Sequence, residues 1–299
     1  MILSFNWFKK IPFLFLGGGL LLLSGCVKTP YHDAFFPITF IPRSGEPQTE
    51  VKIEDNFYSL MIDLGATHTL SLRTDLLEHI QKTPLRTVRF HDIRGNNFTV
   101  NAYVVPEIKI RNMNVRNLEV QEESFEFITK GSTIYDPSER ADQVQGRIGM
   151  GILGQSNLFM DFSRSVMFAC SDLYDRKREG YYLKRLTPVP FELISDAVIL
   201  TAETDLGRGR FLLDTGVTVN VMKSSLCQGS SLSSKLILGG RDFGEIDLTA
   251  FDIAPNLTHF DGVLGLPFLK THVVYLDFTK RQAWIGKASE CKYDGPHHD

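Results

Sequence analysis

The chain says the same thing twice. A strand-like apolar run, Phe57–Ile62, leads into Asp63-Leu64-Gly65-Ala66-Thr67, and Phe211-Leu212-Leu213 leads into Asp214-Thr215-Gly216-Val217-Thr218. Downstream of each aspartate comes an apolar-apolar-Gly element, Ile152-Leu153-Gly154 and Val263-Leu264-Gly265. Each of these is followed by aspartate, phenylalanine, a hydroxyl residue and a base: Asp161-Phe162-Ser163-Arg164 and Asp277-Phe278-Thr279-Lys280. Three landmarks recurring in one order make coincidence improbable and require two similar halves.

Each half also opens on a hairpin pattern. Val51–Ile53, a turn at Glu54-Asp55-Asn56 and Phe57–Ile62 form the first; Val198–Glu203, the glycine-bearing stretch Asp205–Arg210 and Phe211-Leu212-Leu213 form the second. Short β-branched and apolar runs separated by Gly, Asn and Asp dominate, which predicts a mostly β fold. One short helix is expected after Asp63, with Asp75 as N-cap, Glu78 in the first turn and Pro84 as terminator. Thr187-Pro188-Val189-Pro190, after the charged stretch Asp175–Glu179, marks the boundary between halves. The first half is longer between its aspartate and its glycine, and the extra length holds a second hairpin. Val88–Ile93 and Phe98–Val105 flank the turn Arg94-Gly95-Asn96-Asn97.

The 299 residues suit two domains of ordinary size. A formal charge of −3 and a pI near 6.3 argue against a dedicated nucleic-acid binder. At the N-terminus, Lys9-Lys10 precede the apolar run Ile11–Leu23, the pattern of an export signal. Leu23-Ser24-Gly25-Cys26 follows directly and resembles the bacterial lipobox, whose cysteine is acylated. That resemblance implies a signal peptide over 1–25, lipidation at Cys26 and a lipid-anchored linker over 26–45. It also implies a bacterial cell-envelope location; Val27 in place of Asp favours the outer membrane or periplasmic face over the inner membrane. The lobes are then expected at 46–176 and 177–292, with a tail at 293–299. Cys170, Cys227 and Cys291 remain, so at most one intramolecular pair forms, in any of three ways. No Cys/His spacing suggests a metal, and His297-His298-Asp299 reads as a frayed tail.

Two aspartates on matched loops carry a definite chemistry. Hydrolysing a peptide without a metal or a covalent nucleophile needs a base to activate water and an acid to protonate the carbonyl oxygen. Two adjacent carboxyl groups cannot both ionise, so they share one proton and fill both roles. Their titrations belong to the pair, leaving open which one holds the proton. The glycine after each aspartate lets two loops meet back to back where a Cβ would clash.

These Asp-x-Gly loops with their apolar-Gly partners resemble pepsin-like and retropepsin-like aspartic proteases, over roughly 48–286. The stretch 246–287, with its Val-Leu-Gly-Leu-Pro-Phe-Leu segment, is similar to bacterial retropepsin-like domains. The resemblance implies an all-β, two-lobed acid-protease fold with a pseudo-twofold axis and a monomeric chain. It implies Asp63 and Asp214 as the catalytic pair, no cofactor and no metal, and a peptide or unfolded protein as substrate. Gly65 and Gly216 match the loop glycines, and Thr215 matches the threonine that reaches the opposite loop. The hairpin at Arg94, Gly95, Asn96 and Asn97 resembles the single flap of pepsin-like enzymes.

Leu64 departs from the family, which has Thr or Ser there. Losing that cross-loop hydrogen bond costs about 1 kcal/mol, unless repacking around an apolar side chain absorbs it. Ala66 and Val217 offer no hydroxyl to a carboxylate, so a working range nearer neutral than pepsin's is expected. Two other readings stay open: a catalytically silent lipoprotein that binds peptides or a protein partner in the same cleft, and a purely structural envelope lipoprotein. His68 and His91 read as an ordinary core or exposed histidine and a solvated strand residue.

Overall fold

Antiparallel ladders account for most of the structure, as short apolar runs between turn residues require. The computed structural model describes residues 34–42, 44–110, 113–123, 144–170 and 180–291. Cys26, the 1–25 segment, Asp175–Glu179 and the 293–299 tail lie outside these residues. So does the side chain of Cys170; Cys227 and Cys291 are free thiols.

The first half is an eight-stranded sheet. Its order is β2 (Thr39–Phe40), β3 (Pro47–Ile53), β4 (Asn56–Ile62), β9 (Gly146–Ile148), β5 (Leu70–Arg73), β8 (Met113–Glu123), β7 (Asn97–Ile110) and β6 (Thr83–His91). Strand β4 runs parallel to β9, β9 antiparallel to β5, β5 parallel to β8 and β8 antiparallel to β7, and β7 closes back on β3. The second half repeats each of these pairings. Its strands are β13 (Ala197–Thr204), β14 (Gly207–Leu213), β18 (Gly262–Leu264), β15 (Val221–Lys223), β17 (Arg241–Phe251) and β16 (Ser231–Leu238). Only β6 has no counterpart among the described residues.

A platform joins the halves. Strands β10 (Asn157–Asp161) and β19 (His272–Asp277) pair antiparallel at its centre, with Phe159 opposite Tyr275. Outward on one side lie β11 (Val166–Cys170) and β1 (Ala34–Pro37), and on the other β20 (Gln282–Lys287) and β12 (Thr187–Ile194). The central strands are covered on both faces, so β19 is buried at every position and reads as an unbroken apolar run rather than an alternation. Each Asp-Phe landmark is the turn that ends β10 or β19. In the second, Asp277 Oδ1 accepts from the Thr279 and Lys280 amides at 3.1 and 2.9 Å.

Four expectations need correcting. The residues equivalent to Val263-Leu264-Gly265 are Arg147-Ile148-Gly149, not Ile152-Leu153-Gly154, because Ile148 and Leu264 are the partners of Ile62 and Leu213. Ile152-Leu153 instead belongs to the one-turn helix α2 (Met150–Leu153), which matches α3 (Leu266–Thr271). The first-half helix is also a single turn, α1 (Thr74–Leu77), with Arg73 as its N-cap. Asp75 is tied to the Arg73 guanidinium at 2.6 Å rather than capping, and Pro84 sits in the edge strand β6, where no amide is missed. Gly207–Arg210 is strand, so the β13–β14 turn shrinks to Asp205-Leu206. Finally, Thr187-Pro188-Val189-Pro190 is no break but the start of β12, which pairs with β20 before turning to β13. Its prolines are tolerated because that part of β12 is an edge.

Candidate active site

Asp63 and Asp214 stand just beyond the ends of β4 and β14. Their amides donate to the carbonyls of Ile148 and Leu264, at 3.0 and 3.1 Å. Each carboxylate then accepts from the amide two residues on: Gly65 to Asp63 Oδ1 at 3.0 Å and Gly216 to Asp214 Oδ1 at 2.7 Å. Ala66 and Val217 act through their backbones, accepting from Met150 and Leu266 at 2.7 and 2.8 Å. The two loops are therefore built alike, and α2 and α3 hang from the same point of each.

The loops meet back to back. A Cβ at Gly65 would lie 2.2 Å from Asp214 Oδ2, and one at Gly216 would lie 2.9 Å from Asp63 Oδ1. Neither glycine tolerates a side chain without displacing the opposite carboxylate. Thr215 locks the junction: its hydroxyl donates to the Ile62 carbonyl at 2.5 Å and accepts the Leu64 amide at 2.9 Å. Leu64 answers with no hydroxyl; its side chain is fully buried in the main core cluster. The cross-loop grip is thus one-sided, and apolar packing takes the place of its other half.

Both carboxyl groups are buried, yet their surroundings differ. Burial pushes Asp214 up to about 7, reinforced by the Asp63 charge beside it. For Asp63 burial acts in the same sense, but the net direction is downward; the Arg147 guanidinium, 3.4 Å from Oδ2, is the largest opposing cause, and His68 and the Gly65 amide act with it. Asp63 is held below the usual carboxylate range. These surroundings favour charge on Asp63 and the proton on Asp214, so the pair as a whole holds one proton in mildly acid solution.

Arg147 is the residue that sequence reasoning missed. It occupies the place of Val263 and is itself buried. Its Nε lies 2.7 Å from Glu123 Oε1, while Glu123 Oε2 accepts from Ser71 Oγ. A better match of the repeat would have found it: Ile-Gly-Met-Gly-Ile-Leu at 148–153 and Leu-Gly-Leu-Pro-Phe-Leu at 264–269 align, with matching buried positions.

His68 lines a cavity of about 610 Å³ together with Thr67, Arg89 and Asp196. It is buried, with both ring nitrogens unpartnered and its pKa lowered to about 4 by burial. Thr218 is half-buried in the second loop, and His91 is half-buried where β6 ends, opposite Asn97. Among the described residues no cluster of His, Cys, Asp or Glu suits a metal, and no helix is long and apolar enough to cross a membrane.

The β6–β7 hairpin turns at Asp92–Asn96, slightly earlier than expected, and Asn97 already belongs to β7. Asp92 organises the turn, accepting from the amides of Arg94 and Asn96 and from Asn96 Nδ2 at 2.7–2.9 Å. Gly95, at φ +84°, closes it. The tip rests on the second half. Ala254 donates to the Ile93 carbonyl at 2.9 Å, and the Arg94 guanidinium lies 4.9 Å over the Phe251 ring.

The fold is that of the pepsin-like aspartic proteinases. The crystal structure of an aspartic proteinase from Irpex lacteus superposes with a TM-score of 0.55 at 13% identity, covering 86% of this chain and 98% of the other. Basic 7S globulin from soybean superposes with the same TM-score at 10% identity, covering 86% and 95%. By sequence, the chain matches no protein-family model and no curated protein. Likeness this distant speaks for the fold; the chemistry rests on the site's own residues.

Proposed function

We propose that the protein is an aspartic endopeptidase in which Asp63 is the base and Asp214 the acid. One observation carries this reading: two buried carboxyl groups on symmetry-matched loops, each against the opposite loop's glycine, in surroundings that lower Asp63 and raise Asp214. In the reaction, Asp63 takes a proton from water as its oxygen attacks the scissile carbonyl carbon. Asp214 gives its proton to the carbonyl oxygen, leaving a tetrahedral diol. On collapse, Asp63 returns a proton to the departing nitrogen, Asp214 recovers one from a diol hydroxyl, and the C–N bond breaks.

The β6–β7 hairpin, reaching from one half to the other, serves as the flap that covers a bound peptide. Cys26 anchors the chain to a bacterial envelope membrane through its acyl groups; metabolic labelling with an alkynyl fatty acid, lost in Cys26→Ser, tests that part. For catalysis, the full chain in detergent is incubated with a mixed peptide library and the products are read by mass spectrometry. Cleavage abolished in both Asp63→Asn and Asp214→Asn is the expected result. No cleavage by folded protein from acid to neutral pH would overturn the proposal in favour of a silent peptide-binding lipoprotein.

A further inference from the structure

Behind the two aspartates the molecule breaks its own symmetry. Cross-strand partners share a sheet face, so the pairings define equivalent positions in the two halves. In the second half, the face under Asp214 carries Leu212, Val263, Val221 and Thr249, with Phe251 two residues beyond Thr249; all but Thr249 are part of or packed against one apolar cluster. In the first half, the equivalent positions are Met61, Arg147, Ser71 and Gln121, with Glu123 two residues beyond Gln121. Three apolar side chains have become a hydroxyl, a guanidinium and a carboxylate.

These three groups form a connected, buried set. Arg147 and Glu123 keep only 5% and 2% of their side-chain surface exposed and stand 2.7 Å apart at Nε and Oε1. Ser71 holds the other Glu123 oxygen. Arg147 Nη1 then reaches Asp63 Oδ2 at 3.4 Å. Such a pair in a sheet interior is costly to desolvate and adds little to stability, compared with apolar residues of the same volume. Its one asymmetric consequence falls on the site.

We propose that Arg147, oriented by Glu123 and Ser71, is a positioning residue that fixes the division of labour in the site, making Asp63 the base and Asp214 the acid. Among the described residues the charged groups around Asp63 are few. Asp214 faces it from the opposite loop and His68 from its own, Arg147 from β9 and Glu123, through Arg147, from β8, with Glu46 acting on Arg147 from the loop before β3. Among these Arg147 brings a permanent positive charge; His68, buried and unpartnered, is neutral above about pH 4. Guanidinium contact of this kind lowers a neighbouring aspartate by about 1–3 units.

The inference rests on the proposed proteolysis only for its kinetic readout, so the test includes one that does not. The full chain in detergent is labelled with ¹³C at the aspartate carboxyls, and the resonances of Asp63 and Asp214 are assigned with Asp63→Asn and Asp214→Asn. Arg147→Met alone would strand the buried Glu123 carboxylate and could unfold the protein. Arg147→Met with Glu123→Met removes both buried charges together, leaves only the neutral Ser71 of the three, and is expected to fold. In the folded double variant the lower of the two titrations should rise by about 1–3 pH units. If peptides are cleaved, the acid limb of kcat/KM should rise with it and KM should stay within about twofold. Arg147→Lys should recover most of the wild-type titration. Titrations unmoved in the folded double variant would overturn the proposal and leave Arg147 a structural residue. A shifted titration in a protein that cleaves nothing would uphold it while removing the endopeptidase reading.

Discussion

Thr215 is the smallest group on which the two loops depend. Its hydroxyl joins Leu64 and Ile62 across the junction, and no hydroxyl at position 64 shares the load. Thr215→Val keeps the shape and removes both bonds, leaving a buried amide and carbonyl unpaired. We expect a loss of about 2–4 kcal/mol, from one to two such groups, visible in denaturant unfolding; a change under 0.5 kcal/mol would mean the loops are held by packing alone. Asp214 predicts the opposite sign. Its folded pKa, about 7, lies above the usual carboxylate value, so between those two pH values the folded state binds the extra proton and stability falls as pH rises. Above pH 7 the full cost of burying the charge is present. Asp214→Asn removes that cost and should raise Tm by a few degrees at pH 8, with little gain at pH 4; a lower Tm at pH 8 would show that the carboxylate contributes more than its burial costs.

Single strands and turns explain what the sequence made legible and what it hid. Strand ends that deliver Asp63 and Asp214 were readable because an apolar run stopping at Asp-x-Gly is a local signal. The repeat, matched correctly, places Arg147 opposite Val263, but its contact with Asp63 depends on β9 lying between β4 and β5, a long-range pairing that no local pattern encodes. The N-terminal export signal and the acylation of Cys26 stay expectations from the sequence pattern. Asp92 was hidden for a subtler reason: the Gly-Asn signal was found, but the residue that shapes the turn sits two positions before Arg94. Its carboxylate accepts three hydrogen bonds within the turn. Asp92→Ala should therefore loosen the tip without touching the core. Amide exchange at residues 93–97 should rise by tenfold or more, with global stability changed by less than about 1 kcal/mol. If the hairpin is the flap, kcat/KM falls several-fold in the same variant. Unaltered exchange would show that docking on Ala254 and Phe251, not the turn, holds the tip.

At the scale of the whole molecule, neither half can do the proposed chemistry alone. The platform pairs β10 with β19, which sets one half against the other and brings Gly65 and Gly216 each against the opposite carboxylate. A perfectly symmetric pair would share its proton evenly. Under the proposed assignment this one does not, because Arg147 and Glu123 lie behind Asp63 and an apolar cluster behind Asp214. The pH dependence of activity is thus a property of the difference between halves. In the proposed mechanism the working form has Asp63 ionised and Asp214 protonated. It is lost on the alkaline side as Asp214 gives up its proton near 7, and on the acid side only when Asp63, held low by Arg147, gains one. The kcat/KM profile should be flat through mildly acid pH, reach half its plateau near pH 7 and fall about tenfold for each further unit. Initial rates on a single cleaved peptide between pH 3 and 9 measure it. Activity still climbing at pH 8 would mean that Asp214 is not the acid, and the assignment of the two carboxyl groups would have to be reversed or abandoned.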